Sequence, residues 1–115
     1  MQYLLLLYVD EKGFERIPEA ERNPRLAEYT KFMEEQKAAG KLLGSGRLQS
    51  VTTATTLRVT DGKLQMTDGP YAEAREQLGG YFLIEAKDLD EATKIAAKCP
   101  TVKHGAVEIR PIWQM

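Results

Sequence analysis

A chain of 115 residues has room for one domain and none for a second. Its 43% hydrophobic and 29% charged residues are ordinary for a globular protein and argue against disorder. A net charge of −1, with Lys and Arg spread along the chain, argues against nucleic acid as a partner.

The longest apolar run, Tyr3 to Val9, is far too short to span a bilayer, so no membrane association is expected. It does not read as a signal peptide either: no Lys or Arg precedes it, and Asp10-Glu11 stands where small residues would form a cleavage site. A single cysteine, Cys99, leaves no internal disulfide framework and fits a reducing cytoplasm, the expected location.

The first strand runs from about Gln2 to Val9 and is apolar on both faces, as a central strand covered on both sides would be. Residues 11–22 are charged, contain Gly13 and Pro18, and read as a loop. Asn23-Pro24 reads as a helix start, with Asn as cap and Pro in the first turn. Leu26, Tyr29, Phe32, Met33 and Gln36 follow at helical spacing, and Gly40 ends the helix in a left-handed conformation. Leu42 to Leu48 reads as a strand bent at Gly44-Ser45-Gly46.

Asp61-Gly62 lies between the β-prone runs 55–60 and 63–67, a strong hairpin signal whose turn needs positive φ. Asp68-Gly69-Pro70 reads as a turn in which the Asp68 carboxylate accepts backbone N–H bonds, and 72–77 as one or two helical turns. A strand over 79–85 follows. Asp88-Leu89-Asp90-Glu91 resembles a capping box opening a helix with Leu89, Ala92, Ile95, Ala96 and Cys99 on its inner face, stopped by Pro100. The last strand is expected over 105–113.

Strand, helix, strand, hairpin, strand, helix, strand is an α+β order: the ferredoxin-like split βαβ with an inserted β-hairpin. Two helices cover only one face of such a sheet. A second copy of the same sheet is the simplest cover for the other, so a homodimer is expected.

The block Asp68-Gly69-Pro70-Tyr71-Ala72-Glu73-Ala74-Arg75-Glu76, running on into Gly79-Gly80-Tyr81, resembles the signature of YCII-related proteins of DGPF type, Asp-Gly-Pro-Phe-Ala-Glu-Thr-Lys-Glu before a Gly-Gly strand. Asp88-Leu89-Asp90-Glu91-Ala92 and Val107-Glu108-Ile109-Arg110-Pro111 are similar to the same family. The departures are Tyr71 for Phe, Ala74 for Thr and Arg75 for Lys. The resemblance implies one YCII/DGPF-like domain over residues 1–115, a dimeric α+β barrel, and a largely unassigned activity. Because some relatives are encoded beside extracytoplasmic-function sigma factors, it also implies a regulatory link to a sigma factor. The wider group has been proposed to use a His-Asp acid-base pair. This chain carries Arg25 and Cys99 at the corresponding places, so that activity is not carried over.

Asp68, Glu73 and Arg75 are the candidate ligand-binding residues, with the acids at a pocket mouth and Arg75 holding an anionic group. The competing reading makes Asp68-Gly69-Pro70 a plain turn and the other charges a solvated surface. Asp68, Glu73 and His104 are the candidates for acid-base catalysis, since carboxylates and imidazole move protons when their surroundings tune them. His104 is the sole histidine and cannot build a zinc site, so no metal is expected. Cys99, on the apolar stripe of a helix, reads as a small buried hydrophobe. Thr52, Thr53, Thr55 and Thr56 read as β-prone residues. Tyr81 and Phe82 lack the basic start of an RNA-binding platform, and there is no phosphate loop or dinucleotide fingerprint, so no cofactor is expected.

The sequence therefore supports a small-molecule-binding or regulatory protein. The alternative is an enzyme with an acid-base site near Asp68–Arg75.

Overall fold

The structure is a computed structural model describing residues 1–114. Strand β1 (Gln2–Val9) is followed by a short helix α1 (Glu11–Arg16), a long helix α2 (Glu19–Ala38) and strand β2 (Leu42–Arg47). A 3₁₀ turn (Val51–Thr53) leads into the hairpin of β3 (Thr55–Thr60) and β4 (Lys63–Asp68). Then come β5 (Gln77–Glu85), helix α3 (Leu89–Ala97), a second 3₁₀ turn (Pro100–Lys103) and β6 (Ala106–Pro111).

Strands β2-β5-β1-β6, in that order, form an antiparallel sheet, and β3 and β4 pair with each other as a separate two-stranded sheet. This is the ferredoxin-like split βαβ, with the hairpin inserted between its halves. Strand β1 is central because its alternate residues find cover: Tyr3, Leu5 and Leu7 are buried beside Ile84, Phe82 and Gly80 of β5. Phe32 of α2 and Ala92, Ile95 and Ala96 of α3 close that face, and the Phe32 and Phe82 rings meet with centroids 5.2 Å apart. Among the described residues no helix covers the opposite face, which carries Leu4, Leu6, Tyr81 and Leu83.

The tight turn between β3 and β4 forms as read, with φ of 53° at Asp61 and 76° at Gly62. Gly40 ends α2 with positive φ, and β2 carries a register shift between Leu42 and Gly44 at its glycine-rich bend.

Four readings are corrected. Residues 11–22 are largely helical: Asp10 caps α1 by accepting from Gly13 N at 3.1 Å, and α2 begins at Glu19. Pro24 therefore lies inside α2, where its missing N–H leaves only the Ala20 carbonyl, on an exposed turn, without a helical donor. Residues 72–76 are not helical, because the Gln77 side chain rather than a helical N–H serves the carbonyls of Ala74 and Arg75. Leu89 is 57% exposed and lies off the inner face of α3, which keeps Ala92, Ile95 and Ala96 buried. Cys99, though buried, follows the end of α3 and heads the second 3₁₀ turn. The box at Asp88 does form, with a shift of one residue: Asp88 accepts from Glu91 N at 2.9 Å, and Glu91 accepts from Lys87 N at 3.3 Å.

Candidate functional site

At one end of the sheet, beside the junction of β1 and β6, lies an open cleft of about 740 Å³ lined by Tyr8, Asp10, Arg75, Glu76 and His104, with Ala74 and Ala106. Three chain segments make it. The end of β1 supplies Tyr8 and Asp10, the path from hairpin to β5 supplies Arg75 and Glu76, and the turn before β6 supplies His104.

Each segment is held by identifiable contacts. Asp10 is fixed as the cap of α1. The Tyr8 hydroxyl donates to Glu108 Oε1 at 3.0 Å, and Arg110 meets the other oxygen of Glu108 at 3.3 Å. Desolvation, then this bond and the charge of Glu108, push the Tyr8 phenol above its ordinary pKa. Gln77 acts as a clamp: its amide donates to the carbonyls of Ala74 and Arg75, and its Oε1 accepts from Glu11 N at 3.1 Å. Glu11 in turn receives Ser50 Oγ at 3.1 Å and Val51 N, tying the hairpin approach to the same corner.

His104 is positioned by the second 3₁₀ turn, where the Thr101 carbonyl accepts from both His104 N and Gly105 N at 3.1 and 2.8 Å. Lys103 pairs with Glu28 of α2 at 3.2 Å, and Tyr29 of α2 shares a short hydrogen bond with Thr101. Gly105 is required here because a Cβ would fall 2.0 Å from the Tyr8 carbonyl oxygen. That close approach brings His104 beside the end of β1.

Of the residues singled out in the sequence, Arg75 and His104 meet in the cleft. Asp68 ends β4 and is exposed, as is Glu73; neither lines the cleft. The turn at Asp68 is closed by the backbone, Gly69 N donating to the Ala54 carbonyl at 2.8 Å, and among the described residues no donor reaches the Asp68 carboxylate. Tyr8, Asp10, Glu76 and Gln77 were missed. The signals available for them were the polar ending Tyr8-Val9-Asp10 of an apolar strand, and a glycine directly after the only histidine.

Arg25 and Cys99, the residues the sequence reading sets against a His-Asp pair, both lie near Tyr29. The Cys99 thiol is buried, approaches Thr101 Oγ1 at 3.6 Å, and is pushed up in pKa by burial, which makes it a poor nucleophile. Tyr29 is also raised, first by its own burial, with Cys99 adding and Arg25 opposing. Among the described residues no group of three or more His, Cys, Asp or Glu side chains could hold a metal ion, and no helix is long and apolar enough to cross a membrane.

Residues 1–115 match the model of the YCII-related domain. An uncharacterized protein of Rhizobium meliloti (strain 1021) is 34% identical over 114 residues, covering 97% of this chain and 92% of that protein. In overall shape the chain is similar to 5-chloro-2-hydroxyhydroquinone dehydrochlorinase from Burkholderia phenoliruptrix AC1100, solved in complex with 2,5-dihydroxybenzoquinone. The TM-score is 0.56 and the identity 18%, over 99% of this chain and 94% of that one.

Proposed function

The chain belongs to the YCII-related family, and from that premise we propose that it binds a small organic anion in the cleft, with Arg75 as its anchor. His104, with Asp10 and Glu76, supplies groups able to exchange a proton with the ligand. The observation that carries this reading is the convergence of Arg75 and His104, 29 residues apart in sequence, on one cleft. Among the described residues no carboxylate lies within ion-pair distance of Arg75, so its guanidinium fork is available to an incoming oxyanion. Imidazole is the side chain best suited to both accepting and giving a proton. The dehydrochlorinase of similar fold, held with a small oxygen-rich ring, supports the reading at the level of fold alone.

A thermal-shift screen of small carboxylates tests it, because a ligand bound only by the native state raises its apparent stability. Amide shifts that a hit causes at Tyr8 and Glu76 of the parent should vanish in Arg75→Gln and weaken in His104→Gln. Cleft shifts that persist unchanged in both variants, or hits that shift no cleft amide, would refute the reading.

A homodimer is the second part of the proposal. Its support is an accessible surface of 8377 Å², against about 6,300 Å² for a compact monomer of this mass. The radius of gyration is likewise 16.1 Å, where about 13 Å is usual. The hairpin exposes Leu57, Val59, Leu64 and Met66 and the helix-free sheet face leaves Leu4, Leu6 and Leu83 half-buried, while the excess is larger than the ~800 Å² each partner gives to a standard interface. Light scattering should return twice the chain mass; a stable monomer would refute this part.

A further inference from the structure

Where α1, α2 and the end of β2 meet there is a second cavity, of about 260 Å³, lined by Phe14, Glu19, Arg22, Asn23, Leu26 and Arg47. The four α2 residues fall at helical spacing on one face of its first two turns. The Arg22 Nε is shielded and, among the described residues, has no acceptor. No carboxylate among the described residues comes within ion-pair distance of Arg22 or Arg47. A shielded guanidinium N–H without an acceptor is costly and rare in native proteins, and here it belongs to a residue lining a cavity with a second arginine.

We propose that this cavity is a binding site for a small monocarboxylate with an apolar body, distinct from the cleft of Arg75 and His104. Two arginine forks match a carboxylate, and among the described residues no carboxylate occupies either of them. Phe14 and Leu26 offer apolar contact to the remainder of the molecule. Glu19, also in the lining, offsets one of the two positive charges and leaves a balance of +1, which suits a singly charged ligand better than a polyphosphate. The volume, just under the ~300 Å³ at which ordinary ligand pockets begin, leaves no space for a nucleotide. The cavity shares no lining residue with the cleft.

The test is titration of the full ¹⁵N-labelled chain with benzoate, using benzamide as the uncharged control. Saturable amide shifts are expected at Phe14, Arg22, Asn23 and Arg47 with benzoate alone. Affinity should fall about tenfold or more in Arg22→Gln and in Arg47→Gln, as for loss of a charge-assisted hydrogen bond, and stay unchanged in Arg75→Gln. Should Arg22→Gln fold poorly, Arg47→Gln, at an exposed strand end, and the shift map of the parent still decide. Absence of saturable shifts, shifts confined to Tyr8, Arg75 and His104, or equal affinity in Arg47→Gln would overturn the proposal. The Arg75→Gln result separates this outcome from failure of the cleft reading.

Discussion

The four-stranded sheet and the β3-β4 hairpin use similar residues to opposite ends. In the sheet, Leu5 and Ile84 are completely buried under α2 and α3; in the hairpin, Leu57, Val59, Leu64 and Met66 remain between 58 and 71% exposed. The sheet is specified by what packs on it. The hairpin is specified locally, by the Asp61-Gly62 turn and by cross-strand pairs such as Leu57 with Met66 and Val59 with Leu64. Its base is tied down by Gly69 N to the Ala54 carbonyl and by Thr56 Oγ1 to the Gly69 carbonyl, both 2.8 Å. Arg58 adds a 3.0 Å bond to the Tyr71 hydroxyl and stacks over that ring at 5.1 Å. An isolated two-stranded hairpin is marginal in water, so the two regions should respond differently to damage.

The largest effect belongs to the sheet. Gly105→Ala drives a Cβ to 2.0 Å from the Tyr8 carbonyl oxygen, and backbone cannot yield as a flexible side chain would. Separating β6 from β1 at that point should cost about 3 kcal/mol or more, read as a loss of denaturant midpoint for the whole molecule. It should also pull His104 out of the cleft and abolish any ligand shift that depends on it. A variant as stable as the parent would mean that the β1-β6 approach is looser than the structure has it.

Gly62→Val is the corresponding injury to the hairpin. A β-branched residue at a φ of 76° costs about 1–2 kcal/mol. If the hairpin is a local unit, amide exchange across β3 and β4 should speed up by about tenfold, while melting at high dilution, where association contributes least, barely moves. A drop in melting by the full amount would show that hairpin and sheet unfold as one, and the distinction between them would fall.

The same contrast explains what could be read from the sequence. The hairpin turn, the α3 cap at Asp88 and the central strand β1 were legible because local chemistry or a continuous apolar run specifies them. The start of α2 was not, because Asn23-Pro24 imitates a helix start while the chain had already turned helical at Glu19. The cleft was legible only in halves. Arg75 and His104 could be named as chemistry-bearing residues, but their meeting depends on the β1-β6 register and on Gln77 clamping the segment before β5. Tyr8, Asp10 and Glu76 join them only through that tertiary path. The expectation that Asp68 accepts backbone bonds failed because the Ala54 carbonyl takes the Gly69 N–H instead.

The smallest effect sharpens the comparison from the sheet's side. Glu91 of α3 accepts from Lys41 Nζ at 2.8 Å and from Lys87 N at 3.3 Å, joining the helix to the chain just before β2. The Lys41 bond first, and the Lys87 N–H second, hold its carboxyl below the ordinary value of 4.5. In the unfolded chain that carboxyl returns to the ordinary value, so the folded state binds its proton less readily. The stabilisation is therefore complete above the ordinary value and is lost as pH falls through the lower, folded one. Both side chains are about one-third exposed, at 35 and 32%, so solvent and salt screen the pair and the effect is modest. Melting curves of the parent and Glu91→Gln from about pH 6 to about pH 3 should differ most at the upper end and converge in acid, with the gap narrowing as salt is added. Glutamine keeps an oxygen for the Lys87 N–H, so what it removes is the charge facing Lys41. Because both partners belong to the sheet and its helical layer, whole-molecule melting should register the change while exchange in β3 and β4 does not. Parallel curves at every pH would mean that the contact adds no stability, and a matching change in hairpin exchange would mean that the two regions are coupled after all.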